Sequence, residues 1–203
     1  MIPIKVLVPS GVLGLGFDLE ALNNGVKNNP DIISIDGGST DSGPYSLGSG
    51  TSKYSRAAIK AEWKSLMIAR EKANVPLVIG SCGTCGTNGM VDWMENITIE
   101  LAEELNQNIK IAKLYCQQEQ NFIKKNFHLS KIFPLNPAPM LNDYLIEEMT
   151  NIVALAGAEQ IQECINTGAE IILAGRTTDT AIISALPLMR GANPGSSWHG
   201  AKV

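Results

Sequence analysis

Four short segments of the sequence are rich in glycine, serine and threonine, and each follows a short apolar run. They are PSGVLGLG (9–16), DGGSTDSG (36–43), GSCGTCGTNG (80–89) and GRTTDT (175–180). In an open parallel sheet, the segments that follow the strands lie at one edge, where backbone N–H groups and helix N-termini bind anions. The sequence therefore predicts a shared site for a small anionic ligand, a carboxylate or a phosphate. The alternative is that these residues only close tight strand-to-helix turns.

The ligand-binding residues predicted from these segments are small or hydroxylated. They are Ser10, Gly11, Gly14, Gly16, Gly37, Gly38, Ser39, Thr40, Ser42, Gly80, Ser81, Gly83, Thr84, Gly86, Thr177 and Thr178. The first segment has its glycines in the order GxxGxG, whereas a dinucleotide fingerprint has GxGxxG. Nicotinamide or flavin binding is therefore not the favoured interpretation, although Asp36 stands about where a ribose-binding acid would fall.

Four charged residues in these segments are candidates for catalysis. Asp36 and Asp41 could exchange a proton with a substrate or ligate Mg²⁺, or they could only form turns with the backbone. Arg176 could hold a carboxylate through two hydrogen bonds, and Asp179 could cap the following helix or act as an acid or base. Alternatively, Arg176 and Asp179 pair with each other and fix their loop.

The DxGST pattern at Asp36 also resembles phosphate loops of actin-like ATPases, which makes a Mg²⁺-dependent nucleotide hydrolase a weaker alternative. Those loops join two antiparallel strands, whereas here a helical pattern follows from Tyr54. The metal requirement stays open at this point.

The cysteine and histidine residues give weaker evidence for a function than the charged residues do. Cys82 and Cys85 form a CxxC at a turn, which could indicate redox chemistry or half of a metal site. No second CxxC or histidine pair accompanies it, so small residues in a glycine-rich turn are the favoured interpretation. His199 follows Ser196 and Ser197, which are typical N-cap residues, so we expect it in the first turn of a helix. It is a further candidate for catalysis, or else a surface group.

The order of apolar runs and helical patterns predicts the fold. Short runs rich in Val and Ile occupy residues 4–8, 31–36, 76–80, 109–115, 152–155 and 169–174, and helical spacing occupies 54–74, 91–105 and 158–167. This alternation is typical of an α/β fold with a mostly parallel sheet and helices on both faces, Rossmann-like and open three-layer. We expect a single domain over 1–203, with a long loop at 37–53 and a proline-rich linker at 133–142.

The composition of the chain excludes some classes of binding partner. The chain has 203 residues and a formal net charge of −4, so it has no positive surplus for nucleic acid or an anionic membrane. No apolar stretch is long enough for a membrane span, and the N-terminus does not have a signal-peptide pattern. These features predict a cytoplasmic protein with reduced thiols. We also expect a homo-oligomer, because charged residues make up only 18% of the sequence, or a partner chain that supplies a missing C-terminal half, because residues 198–203 resemble the start of another element.

Four stretches together identify a family resemblance. KVLVPSGVLGLGFD, SIDGGSTDSGPYSLGSGTSKYSR, PLVIGSCGTCGTNGMVDW and ILAGRTTDTAIISALPLMRGANPGSSWHGAK resemble the acyclic terpene utilisation (AtuA-type) family, nearly from end to end of the chain. Members of that family are longer, so the sequence resembles their N-terminal half. The resemblance implies bacterial catabolism of branched or isoprenoid acids, often as CoA thioesters. It also implies small residues where this chain has CGTC.

Two functions follow as hypotheses. The first is an α/β enzyme, or the half that carries its site, with lyase, hydratase or isomerase chemistry on a small carboxylated substrate. No nucleophile–base pair is evident in the sequence, which favours acid–base over covalent catalysis. The second is a non-catalytic subunit that binds the ligand or a partner protein.

Overall fold

Five short strands form one sheet in the computed structural model, which describes residues 3–41 and 43–203. All strand pairs are parallel, and the order across the sheet is β1-β2-β3-β5-β4. The strands are β1 (Val6–Leu7), β2 (Ile32–Asp36), β3 (Leu77–Gly80), β4 (Ile111–Leu114) and β5 (Ile171–Ala174). The prediction of an α/β fold with a mostly parallel sheet is confirmed.

Nine helices connect or flank these strands within the described ranges. They are α1 (Leu19–Lys27), α2 (Tyr45–Ser49), α3 (Arg56–Ala73), α4 (Asn88–Leu105), α5 (Gln120–His128), α6 (Asp143–Glu148), α7 (Ala158–Asn166), α8 (Asp179–Met189) and α9 (Pro194–Lys202). The periodic stretches predicted at 54–74, 91–105 and 158–167 correspond to α3, α4 and α7. None of the helices among the described residues is both long and apolar enough to cross a membrane.

The sheet is buried on both faces because its side chains alternate between two apolar clusters. Ile33 and Ile79 belong to a cluster that includes α3 and α4, and the Nε1 of the buried Trp63 there donates to Thr98 Oγ1 at 2.9 Å. Ile32 and Val78 point the other way, into a cluster that includes α7 and α8. The structure is therefore an open three-layer α/β fold, as the apolar runs predict.

The prediction of a strand at 152–155 is wrong. This segment lies outside the sheet, and its backbone bonds instead to the loop after β4. The Gln118 N–H donates to the Ile152 carbonyl at 2.8 Å, and the Ala154 N–H donates to the Cys116 carbonyl at 2.8 Å. A run of four apolar residues has the composition of a strand, but a neighbouring loop satisfies its hydrogen bonds here.

Two further expectations need correction. The segment at 37–53 is not wholly irregular, because Tyr45–Ser49 form the short helix α2, which ends at Gly50 in the left-handed conformation.

Ser196 and Ser197 do not cap the last helix. The N-cap is Asn193, whose side chain accepts from the Ser196 N–H at 3.1 Å, and Pro194 starts the helix. The proline-rich segment at 133–142 contains no helix or strand.

Candidate functional site

The loops after β1, β2, β3 and β5 meet at the carboxyl edge of the sheet. The first loop joins the second through the Leu13 N–H, which donates to the Asp36 carbonyl at 2.8 Å. The second loop joins the third through Gly37 N to Gly80 O at 2.7 Å, and the third joins the fourth through Ser81 N to Gly175 O at 2.8 Å. The four segments predicted to share one edge are therefore bonded to one another in sequence across it.

This contact between loops needs glycine at its centre. A Cβ atom at Gly37 would lie 2.5 Å from the Ser81 carbonyl oxygen and 2.7 Å from the Gly80 carbonyl oxygen, and both of these are backbone atoms. The neighbouring turn is strained, because Ser81 and Thr84 have φ of 49° and 70° without being glycine. Left-handed non-glycine residues persist only where the surrounding structure holds them, and they occur often at functional sites.

Asp36 is the acidic group at the centre of this edge. It ends β2, and its Oδ1 atom is buried without a hydrogen-bond partner among the described residues. Burial raises the pKa of Asp36 to about 7, and the negative charge of Asp179 adds to this. The Gly38 amide, the Arg176 charge and the Ser81 hydroxyl act in the opposite direction and only partly offset it. Asp36 can therefore carry or release a proton near neutral pH.

Arg176 joins two of the loops. Its Nη1 donates to the Gly38 carbonyl at 3.2 Å and to the Thr84 carbonyl at 3.1 Å. The predicted pairing of Arg176 with Asp179 does not form. Asp179 is exposed at the start of α8, and its nearest cation is Lys202 at 3.8 Å. Among the described residues, the hydrogen bonds of Arg176 use only Nη1, so Nε and Nη2 remain available to a carboxylate.

Most hydroxyls at this edge already bond within the protein. Ser81 Oγ donates to the Thr177 carbonyl at 3.1 Å, Thr84 Oγ1 accepts from the Lys53 N–H at 3.1 Å, and Thr178 Oγ1 accepts from the Ala181 N–H at 3.0 Å. Thr177 differs, because its side chain is buried and its Oγ1 has no partner within the described part of the chain. The atom lies 2.1 Å from where a Cβ of Gly80 would be.

The first glycine-rich loop divides into two parts. Ser10 and Gly11 line the cleft described below. The amides of Gly14 and Gly16, in contrast, donate to the carboxylate of Glu62 at 2.7 Å and 2.8 Å. Glu62 was not identifiable from the sequence, because it lies in the middle of a helix and follows no recognisable motif.

Asp41 does not line the cleft that Asp36 lines. Asp41 is exposed, and its N–H donates to Ser39 Oγ at 3.1 Å, while the Thr40 carbonyl accepts from the Gly43 N–H at 2.9 Å. The predicted ligand residue Ser42 lies outside the described residues.

In the next loop, a Cβ at Gly83 would lie against Met90, and one at Gly86 would lie against the Arg176 backbone. These two glycines therefore allow close packing.

A cleft of about 810 Å³ opens beside Asp36, between β1, α8 and α9. Asp36, Asp179 and Lys202 are its charged residues. Apolar side chains make up most of the remaining wall, and they are Pro3, Ile4, Val6, Val8, Ile35, Ile182, Ile183, Pro187, Ala192, Ala201 and Val203. Because α8 starts at the carboxyl edge and runs back along the sheet, the cleft extends from Asp36 towards the opposite edge. Lys202 is the second residue of the site that sequence reasoning missed.

The four thiols are buried and the two imidazoles are exposed, although Cys82 lies close enough to the site for the charge of Asp36 to act on it. Cys82, Cys85, Cys116 and Cys164 are free and buried. Burial raises the pKa of the Cys82 thiol well above its ordinary value, so the group is not a thiolate nucleophile at neutral pH. In the described ranges no group of three or more His, Cys, Asp and Glu side chains could hold a metal ion. The prediction that His199 lies in the first turn of a helix is wrong, because α9 starts at Pro194 and places the exposed His199 in its last turn. His128 Nε2 lies 3.0 Å from Asp143 on the surface.

The fold and this edge define the class of protein: an open α/β domain whose strand-end loops form a polar site beside an apolar cleft. Comparison with known families then identifies it, because residues 46–190 match the acyclic terpene utilisation family protein AtuA. The chain belongs to this family, and membership associates it with acyclic terpene utilisation. The matched range contains Arg176 and the loop after β3, whereas Asp36 and the first loop precede it. No curated protein and no solved structure matches the chain.

Proposed function

We propose that this chain carries the substrate site of a cytoplasmic catabolic enzyme that acts on a small branched or isoprenoid carboxylic acid or its CoA thioester. The chemistry is acid–base, of the lyase, hydratase or isomerase type. The observation that carries the proposal is Asp36, which lies where four loops meet, faces an apolar cleft and has a pKa of about 7. A group with this pKa is suited to both accepting and donating a proton at neutral pH.

The cleft supports a substrate with a hydrocarbon part. Val6 and Val8, in and just after the first strand, lie on one wall, and Ile182 and Ile183 of α8 lie on another. The cleft volume of about 810 Å³ is within the ordinary range of ligand sites. A branched apolar chain would bury against these side chains, which favours binding by the hydrophobic effect. Its carboxyl or thioester end would then lie at the polar edge.

The polar edge supplies the groups for proton transfer. The free nitrogens of Arg176 would hold the carboxylate or carbonyl oxygen, and this contact would stabilise negative charge that develops there. Asp36 in its charged form would take the proton from a carbon next to that carbonyl. The protonated Asp36 would then return it, to the same carbon or to another one, so that the enzyme ends in its starting state.

A non-catalytic ligand-binding subunit is the second candidate. It is favoured by the small number of titratable side chains in the cleft, since the described lining holds only Asp36, Asp179 and Lys202. The same walls and the same Arg176 would bind the ligand in both cases. The two candidates differ only in whether Asp36 exchanges a proton with it.

A thermal-shift and turnover experiment tests the proposal. The wild-type chain, Asp36→Asn and the surface control Asp143→Asn are measured with branched acids, their CoA thioesters and ATP, with and without Mg²⁺. We expect the acids or thioesters to stabilise all three proteins, and turnover to be lost only in Asp36→Asn. Binding without turnover in the wild type indicates the binding subunit. A shift with ATP and Mg²⁺ alone contradicts both and supports a nucleotide hydrolase.

A further inference from the structure

We infer that Glu62 is a positioning residue whose carboxylate is the anion bound by the first glycine-rich loop, and that through this loop it fixes the main chain of Asp36. The consequence for catalysis rests on the function proposed above, whereas the structural inference does not. Its evidence is the set of contacts that links α3, the loop 9–16 and the end of β2.

The loop presents two amides to one carboxylate. The Gly14 N–H donates to Glu62 Oε2 at 2.7 Å, and the Gly16 N–H donates to Glu62 Oε1 at 2.8 Å. Both glycines have positive φ, 109° and 86°, a conformation that lets the N–H groups of residues 14 and 16 point towards the same carboxylate. Such a backbone arrangement binds anions, and hydrogen bonds to a carboxylate are stronger than neutral ones. Here the anion belongs to the protein itself.

The carboxylate is held by a rigid element. Glu62 lies on α3 next to Trp63, which is fully buried, and one turn from Ile59 and Leu66, which also pack in the core. The loop also approaches the start of this helix closely, because a Cβ at Gly14 would lie 2.6 Å from Tyr54 Cγ. Packing and hydrogen bonding thus fasten the loop to the same helix.

The same loop also contacts the main chain of Asp36. Leu13 precedes Gly14 in the loop and its side chain is fully buried. Its N–H donates to the Asp36 carbonyl at 2.8 Å. Ser10 and Gly11 of the same loop line the cleft beside Asp36. If the loop loses Glu62, its two amides lose their acceptor, and we expect the Leu13 contact with the Asp36 main chain to loosen and the burial of Asp36 to decrease.

This arrangement assigns Gly14 and Gly16 a role different from ligand binding. Their amides are occupied by an internal carboxylate, so the anion of the substrate binds elsewhere on the edge. The loop contributes Ser10 and Gly11 to the cleft.

Chemical rescue tests the inference. Glu62→Ala removes the carboxylate and leaves space for acetate, which has the size of the lost group. Glu62→Gln keeps one oxygen acceptor and removes the charge. Glu71→Ala is the matched control, since Glu71 lies on the same helix and bonds to Gln107 instead of the loop. The measurements are amide hydrogen exchange at Leu13, Gly14 and Gly16, and NMR titration of the Asp36 carboxyl group, in acetate and in chloride of equal ionic strength.

We expect exchange at Gly14 and Gly16 to rise about tenfold or more in Glu62→Ala, since hydrogen bonds to a charged group contribute about 1.5–3 kcal/mol. Acetate should reverse the rise, while chloride should not. Glu62→Gln should show an intermediate rise, and Glu71→Ala none. The pKa of Asp36 should fall in Glu62→Ala as water enters, and should rise again in acetate.

Unchanged exchange in Glu62→Ala, or equal recovery in acetate and chloride, overturns the inference. If Glu62→Ala does not fold, amide exchange at Gly14 and Gly16 in Glu62→Gln is compared with the wild type, and an unchanged rate there also overturns the inference. These outcomes are independent of the proposed function, because they need neither substrate nor turnover. Failure of the function appears as unaltered turnover in Asp36→Asn, and failure of this inference appears in the exchange data.

Discussion

Replacing Asp36 with asparagine should change how the stability of the protein depends on pH. The pKa of Asp36 is about 7 in the folded protein and 3.8 in the unfolded chain. The folded state therefore binds this proton more tightly, so the stabilisation is complete below about pH 4 and is lost as the pH rises through 7. At about 1.4 kcal/mol for each pH unit, the loss is on the order of 4 kcal/mol.

An asparagine side chain cannot ionise, so Asp36→Asn should avoid this loss. The difference in unfolding free energy between Asp36→Asn and the wild type should be constant below about pH 4. It should then increase in favour of the variant up to about pH 7. Above that pH it should be constant again. For a chain of this length the full effect corresponds to a higher Tm by about 10 °C.

Urea unfolding of both proteins at a series of pH values measures this difference directly. Acids outside the site whose pKa is lowered, such as Glu104 and Glu170, titrate equally in both proteins and cancel in the comparison. Burial raises the pKa of Asp36 most, and the charges of Arg176 and Asp179 shift it in opposite directions, so the pH at which the difference stops increasing reports the net effect of these causes. A difference in stability that does not vary between pH 4 and pH 8 would refute the assignment of a buried, proton-holding Asp36.

Two more substitutions test the assembly of the edge. Gly37→Ala should destabilise the protein by more than about 2 kcal/mol in urea unfolding, because the new Cβ would meet the Ser81 and Gly80 carbonyl oxygens and backbone cannot move aside cheaply. A midpoint equal to that of the wild type would contradict this contact. Arg176→Ala should abolish the thermal shift by carboxylated ligands while the far-UV spectrum stays native, and full retention of ligand binding would argue against the carboxylate-holding role.

The sequence predicted strands and helices correctly where the pattern depends on residues that are close together along the chain. The runs at 31–36, 76–80 and 169–174 became β2, β3 and β5 because each is short, apolar on both faces and closed by glycine. The helical stretch at 54–74 became α3 because Ser55 caps it and Asn74 ends it in the left-handed conformation. The wrong prediction at 152–155 also comes from a local pattern. Four apolar residues are typical of a strand, but the pattern does not show whether the segment pairs with another strand of the sheet.

The candidate site was predictable only in outline. The rule that parallel strands place their following loops at one edge was enough to bring Asp36, Ser81 and Arg176 together. The helix cap at Asn193 was missed because two serines nearby are equally suitable in composition. The exposure of Asp41 was not predictable either, because its position depends on how the loop before α2 packs.

The sequence by itself determined the alternation of strands and helices and the glycine-rich character of one sheet edge, because both depend on residues close together along the chain. The tertiary structure alone decided which groups at that edge are already engaged. Glu62 reaches Gly14 across 48 positions, and Arg176 reaches Gly38 across 138. Such partners depend on how the layers pack, and so do the burial that raises the pKa of Asp36 and the apolar cleft beside it.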